Sequence, residues 1–224
     1  MPESTRSSRG VTVVIALAIA LAGLCYSSWV LEFVLPVDTD PVDDFLSELT
    51  SGDRPYHQVF ATADKLVGLL LIPAAVGALL VFRRRGLTTV GWVALGCFGA
   101  ATIADAMFPL RDCAAADSGC GDGLIPQLRQ PHALTSTLAV TSIAVAAFAF
   151  TLAAHRYHRW RILRVFGAVV LVTGAVATVW MLVADNLSGS YALGIAQRIQ
   201  VGAMSLWLLT LAAAVLAEAG EWIE

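Results

Sequence analysis

Six long apolar stretches alternate with short polar segments along the chain. Each stretch has about the 20 residues that a helix needs to cross the hydrocarbon core of a bilayer. Apolar residues follow one another within each stretch instead of alternating with polar ones, which argues against a membrane β-barrel. The predicted spans are Val11–Leu35, Val59–Phe82, Thr88–Phe108, Ala133–Ala154, Ile162–Val183 and Tyr191–Ala217. The pattern therefore predicts an all-α, polytopic membrane protein built as a six-helix transmembrane bundle.

Composition supports a single membrane domain. Hydrophobic residues make up 58% of the 224-residue chain and charged residues only 14%, whereas roughly a quarter of a soluble domain is charged. We expect the bundle to occupy residues 11–217, with outer loops at 36–58 and 109–131. Residues 1–10 are predicted to form a disordered N-terminus and residues 218–224 a short tail.

Arginine is distributed unevenly between the two sets of connections. One set contains Arg6, Arg9, Arg83, Arg84, Arg85, Arg156, Arg159 and Arg161, and the opposite set contains Arg54, Arg111 and Arg129. Because arginine-rich connections usually face the cytoplasm, both termini are predicted to be cytoplasmic. The first apolar run has no convincing small-residue cleavage site, so we interpret it as a retained span and not as a signal peptide.

Four charged residues lie within the apolar stretches, namely Asp64, Lys65, Asp105 and Arg198. Inserting such a charge costs at least ~2.5–3.5 kcal/mol, so it usually faces a protein interior or a water-filled cavity. At about 1.5 Å per residue, Asp64 and Arg198 lie roughly 10 Å below the outer ends of their helices, and Asp105 roughly 6 Å. The charges are therefore predicted to gather in the outer third of the bundle.

Helical spacing directs several polar side chains toward a common interior. Asp64 shares a helix face with His57, and Ser136 shares one with His132. Glycines four residues before and after Arg198 would let a neighbouring helix approach it. We interpret this arrangement as an outward-facing polar pocket. The candidate catalytic residues for proton transfer are Asp64, Asp105 and His132, and the candidate ligand-binding residues are Arg198, Gln197, His57, Lys65 and Ser136.

Three functions fit such a pocket. The leading hypothesis is binding of a small amphipathic or lipid-like molecule, with Arg198 holding an anionic or carbonyl group. Whether acid–base chemistry follows, which would make the protein an enzyme, stays open. In the second hypothesis, Arg198 pairs with Asp105 or Asp64 and fixes the helices of a structural or accessory subunit. A small-molecule transporter is the third, although no inverted repeat or pair of broken helices is evident.

The remaining candidate chemistry is limited. Cys113 and Cys120 share the second outer loop, where an oxidising compartment favours a disulfide. The histidines and aspartates of the predicted pocket are zinc ligand types but form no local ligand motif, so no metal site or cofactor is predicted and zinc is kept only as an alternative. The basic and aromatic segment 155–161 fits contact with lipid headgroups. The expected partners are therefore membrane lipids and a small amphipathic ligand, and not nucleic acid.

Several short motifs occur in an order that resembles a known membrane family. They are Arg54-Pro55-Tyr56-His57 leading to Asp64 and Gly68, Asp105-Ala106-Met107-Phe108-Pro109 followed by Cys113 and Cys120, then His132, and finally Gln197-Arg198. In these motifs the chain resembles the bacterial and archaeal family catalogued as domain of unknown function 998. The resemblance implies a six-helix, multi-pass protein of the cell membrane, here a bacterial cytoplasmic membrane. It implies no activity.

Overall fold

The computed structural model of the chain describes residues 2–110, 131–187, 189 and 191–220. Across this part of the chain all regular secondary structure is helical. The six α-helices are α1 (Pro2–Tyr26), α2 (His57–Val81), α3 (Gly86–Met107), α4 (Pro131–Arg156), α5 (Ala168–Asp185) and α6 (Leu193–Gly220). Two 3₁₀ helices cover Ser28–Phe33 and Leu46–Thr50, and a π-helical turn at Leu163–Gly167 leads into α5.

Six helical segments within the described residues are long and apolar enough to cross a membrane, which confirms the predicted fold class. The segments begin and end within a few residues of the predicted spans, except at the N-terminus. There α1 begins at Pro2, so residues predicted to be disordered are helical. Proline is favoured in the first helical turn, where its missing N–H breaks no hydrogen bond. Cys113 and Cys120, with their predicted disulfide, lie outside the described residues.

Helices that are adjacent in the chain pack side by side, with one exception. α3 packs between α2 and α4, α1 packs between α2 and α6, and α5 packs on α6. α4 and α5 follow one another in sequence yet touch only slightly. We call the end of the bundle that holds the connection between α1 and α2 the loop end, and the opposite end the arginine end. The cytoplasmic location of the arginine end stays a prediction.

Aromatic side chains fill the core toward the arginine end. Trp92, Phe98, Phe150 and Trp207 are almost completely buried. The rings of Trp92 and Phe150 meet edge to face with their centroids 4.8 Å apart, a geometry that aromatic rings favour. This half of the core is therefore mostly apolar, and the four charged residues predicted within the spans lie in the half toward the loop end.

The connection between α1 and α2 folds over the loop end. Within this connection, predicted as the outer loop 36–58, the structure has a 3₁₀ helix at Leu46–Thr50. Leu46 and Leu49 are buried and pack against Phe60 of α2. Later in the same connection, Arg54 forms an ion pair with Glu48 of the 3₁₀ helix, 2.8 Å from nitrogen to oxygen. The connection is thus a packed cover and not a free loop.

Two glycines let α2 and α3 approach until their backbones touch. A Cβ atom at Gly68 would lie only 2.2 Å from the carbonyl oxygen of Gly99 and 2.4 Å from the Cγ1 atom of Ile103. Neither backbone can move aside without shifting a whole helix. The α2–α3 contact therefore requires glycine at position 68.

We predict that Gly68→Ala lowers the apparent free energy of unfolding by about 1–3 kcal/mol, the usual cost of overpacking a core. Gly77→Ala is the matched control on the same helix, because its Cβ would lie 3.6 Å from Ile15, an ordinary contact. The control should be neutral or stabilising, since alanine favours helix over glycine by about 1 kcal/mol. Reversible denaturant unfolding in detergent checks both variants, and equal effects would contradict the assigned contact.

Candidate functional site

Arg198 forms a buried, two-pronged ion pair with Glu32. Its Nε donates to Oε1 at 2.7 Å and its Nη2 donates to Oε2 at 2.6 Å. The remaining Nη1 donates to the carbonyl oxygens of Asp44 and Gly194. Both charged side chains are buried, with 6% and 0% of their surfaces exposed. All three guanidinium nitrogens of Arg198 are therefore engaged by the protein.

This partner differs from the aspartates considered from the sequence. Glu32 lies near the end of the first span, after α1 has given way to the 3₁₀ helix. A 3₁₀ helix has three residues per turn instead of 3.6, so a face extrapolated from α1 does not show where Glu32 points. The local change of helix type turns this carboxylate inward, toward α6.

The glycine before Arg198 accommodates the folded connection. A Cβ atom at Gly194 would lie 2.6 Å from the carbonyl oxygen of Asp44 and 2.7 Å from that of Pro41. Gly194 thus leaves room for the backbone of the connection between α1 and α2. The sequence had suggested that a neighbouring helix would approach at this glycine. Gln197 on the same helix accepts a hydrogen bond from the backbone N–H of Leu46 at 2.6 Å. Arg198, Gly194 and Gln197 together attach the cover to α6.

Asp105 is held by two hydroxyl donors from α4, and His132 lies beside it. The hydroxyls of Thr135 and Ser136 donate to its Oδ1 atom at 2.6 and 2.7 Å. The Nδ1 atom of His132 lies 3.2 Å from the same oxygen and 3.1 Å from the carbonyl oxygen of Phe108. Among the described residues, nothing donates to Asp105 Oδ2. The carboxylate is therefore fixed on one side and free on the other.

These contacts do not form a serine-nucleophile relay. In a Ser–His–Asp triad the imidazole lies between the serine and the carboxylate. Here Ser136 donates directly to Asp105, and the Nε2 atom of His132 is 3.4 Å from the serine oxygen. The cluster positions Asp105 and joins α3 to α4.

A cavity of about 100 Å³ lies beneath the 3₁₀ helix at Leu46–Thr50. Every α-helix except α5 contributes to its lining. Its polar lining includes Tyr26, Ser28, Ser47, Thr50, Asp64, Asp105, Ser136, Gln197 and Gln200. Since one water occupies about 30 Å³ of liquid, the cavity has room for a few waters or one small polar group. We call it the acidic pocket.

Asp64 is the unsatisfied charge of the acidic pocket. It lies on α2, well inside a membrane-spanning helix. In the part of the chain that the structure describes, no side chain or backbone group donates a hydrogen bond to it and no cation pairs with it. Asp64 is half-buried, and a carboxylate withdrawn from water is normally paired or hydrogen-bonded, because desolvating an isolated charge is costly. Asp64 therefore stands in contrast to the well-supported Asp105.

The structure brings together four of the predicted site residues in this cavity: Asp64, Asp105, Ser136 and Gln197. His132 does not line the cavity but contacts Asp105, which does. Lys65 is exposed on the outer face of α2, and His57 bonds through Nδ1 to the carbonyl oxygen of Arg54 at 2.9 Å.

Five polar lining residues were missing from the sequence-based candidates, namely Tyr26, Ser28, Ser47, Thr50 and Gln200. Gln200 lies one helical turn after Gln197, so the polar spacing on α6 could have revealed it. Tyr26, at the end of α1, gave no comparable signal. Among the described residues, no group of three or more histidine, cysteine, aspartate or glutamate side chains is arranged to hold a metal.

We predict that Glu32→Gln lowers the apparent free energy of unfolding by about 3–5 kcal/mol, because it leaves Arg198 charged and unpaired in the core. Replacing both partners, as in Glu32→Leu with Arg198→Met, should cost less than the two single changes added together. Glu48→Gln is the control, since its pair with Arg54 is partly exposed and such pairs contribute about 0–1 kcal/mol. A double-mutant cycle by denaturant unfolding measures the coupling, and strict additivity would refute a buried pair.

Comparison with known proteins identifies a family. Residues 11–214 match the model of the family described as Protein of unknown function (DUF998). Among curated proteins and among solved structures, nothing matches the chain. Because the family match covers most of the sequence, this chain belongs to the DUF998 family.

Proposed function

We propose that this integral membrane protein binds a small organic ammonium group in the acidic pocket. The observation that carries the proposal is Asp64, a carboxylate that lines the cavity without any partner among the described residues. A bound cation would supply the missing counter-charge. The ligand is therefore a molecule with a protonated or quaternary amine, and its remainder can be lipid-like.

The charges around the cavity favour a cation over an anion. Arg198 is fully engaged by Glu32 and two backbone carbonyls, and Lys65 points outward. Among the described lining residues none is a lysine or an arginine, whereas Asp64 and the second carboxylate oxygen of Asp105 can both accept. The proposal thus keeps the predicted amphipathic ligand and replaces the anionic group that Arg198 was expected to hold.

The apolar part of the lining favours an organic cation over a metal ion. Tyr26, Trp29 and Phe60 line the cavity with Leu49 and Met204. Aromatic faces attract ammonium groups by about 0.5–2 kcal/mol, and apolar side chains suit the carbon atoms attached to the nitrogen. A site built for a hard metal ion would surround it with oxygen atoms.

Acid–base catalysis is the second candidate at the same site. Asp64 and Asp105 line one cavity but are held differently: among the described residues Asp64 has no hydrogen-bond donor, whereas Asp105 accepts from two hydroxyls of α4. Such differences in environment are how paired carboxylates acquire separate acid and base roles. In this version Asp64 exchanges a proton with the bound molecule, while His132 and Ser136 position Asp105.

The other two hypotheses explain less of the geometry. A purely structural subunit accounts for the Arg198–Glu32 pair and leaves the unpaired Asp64 without a purpose. A transporter needs polar groups along a path through the bundle, and the described core toward the arginine end is packed with aromatic rings.

Hexylamine binding to the purified protein in nanodiscs tests the proposal. We predict that Asp64→Asn, which keeps the shape and removes the charge, weakens binding by about 30-fold or more, corresponding to the ~2–5 kcal/mol that a buried charge partner contributes. Asp185→Asn is the matched control, because this exposed residue at the loop end of α5 lies outside the cavity.

Hexanol and hexanoate serve as neutral and anionic ligands of the same chain length. Isothermal titration calorimetry should detect hexylamine and neither of the others with wild-type protein. Preferential binding of hexanoate, or equal hexylamine affinity in wild type and Asp64→Asn, would overturn the proposal.

A further inference from the structure

A second, apolar cavity adjoins the acidic pocket on the side away from α2. It lies between α4, α5 and α6, where α4 and α5 make little contact. Its lining from α4 includes Ile143, Ala144 and Ala147, and its lining from α5 includes Val170 and Ala175. We call it the α4–α5 groove. It encloses about 70 Å³.

The α4–α5 groove and the acidic pocket share two walls. Val140 of α4 and Met204 of α6 line both cavities. The two spaces are also linked by one hydrogen bond, in which Gln200 of the acidic pocket donates to Thr178 of the groove at 2.7 Å. Unbranched and flexible, methionine fills and vacates space at low cost. The boundary between the cavities is therefore two apolar side chains and one hydrogen bond.

The helix that bounds the groove on the outside is the most weakly packed of the six. Only Ala177 and Ala184 of α5 are buried. Val172, Val176 and Val179 each expose 61% of their surface, and in a membrane these side chains contact lipid. α5 thus separates the groove from the bilayer and is held by α6, while its contact with α4 is small.

Given the proposed ammonium site, we propose that the ligand is a single-chain amphiphile that enters from the bilayer between α4 and α5. Its ammonium group binds beside Asp64, and its alkyl chain lies in the α4–α5 groove. From Ser136 to Ala147 along α4 the distance is roughly 16 Å at 1.5 Å per residue, which suits a chain of the length found in dodecylamine. The acidic pocket supplies the charge complementarity that selects this occupant over an ordinary bilayer lipid.

Photolabelling with a dodecylamine that carries a diazirine at its chain end tests this proposal, with the full-length protein in phosphatidylcholine nanodiscs. Mass spectrometry should find the label on the groove-lining residues of α4 and α5. Ala175→Phe, which fills the groove, should reduce labelling about tenfold. Val176→Phe is the matched control on the neighbouring, lipid-facing position and should leave labelling unchanged. Ala144→Phe repeats the block from α4, and thermal unfolding verifies that each variant folds.

Short and long amines separate this proposal from the one on which it rests. Hexylamine should bind Ala175→Phe as it binds wild type, because its headgroup site is untouched. If hexylamine binds and the label is equal in Ala175→Phe and Val176→Phe, the groove is not the chain site and only the ammonium site stands. Groove labelling that persists in Asp64→Asn would also overturn this proposal, because the chain would then occupy the groove without the ammonium contact. If hexylamine fails to bind wild type, both proposals fall.

Discussion

A positive charge inside an apolar bundle needs a partner, and the pairing of Arg198 with Glu32 is the interaction on which the loop end depends. The pair joins α6 to the 3₁₀ helix after α1, and the third guanidinium nitrogen holds the backbone of the cover at Asp44. Removing one partner would leave the other charge unpaired in the low-dielectric interior, which would lower the free energy of unfolding by several kcal/mol. The cover, and with it the roof of the acidic pocket, is attached through this contact.

The same pairing determines the electrostatic character of the acidic pocket. Since Glu32 neutralises Arg198, the aspartates of the cavity have no compensating lysine or arginine among the lining residues that the structure describes. Asp105 is stabilised by hydrogen bonds from α4, whereas Asp64 lines the cavity and has no hydrogen-bond donor within the described part of the chain. An unsupported carboxylate in a membrane helix is costly to keep. A cationic ligand that pairs with Asp64 is the simplest physical reason for a carboxylate at this position, and the proposed function rests on this reason.

Depth and helical spacing were sufficient to predict much of this site. The six spans follow from their apolar length, and the shared depth of Asp64, Asp105, Ser136 and Gln197 follows from the fixed rise of a helix. What could not be predicted depends on departures from regular helix. The 3₁₀ turn directs Glu32 toward Arg198, and the packing of Leu46 and Leu49 converts a polar loop into a cover. Neither feature has a periodicity that extends from the neighbouring helix, so the ligand-binding role of Arg198 was inferred without knowledge of its partner.

Arg198 is committed to Glu32, whereas Asp64 is available to an ammonium group. A cryo-electron microscopy structure of the protein in nanodiscs with hexylamine tests this division of roles. We expect density for the amine in the acidic pocket, with its nitrogen about 3 Å from an Asp64 carboxylate oxygen and Arg198 still bound to Glu32. A structure in which Arg198 turns into the cavity to pair with Asp64, or in which the amine binds elsewhere, would contradict it.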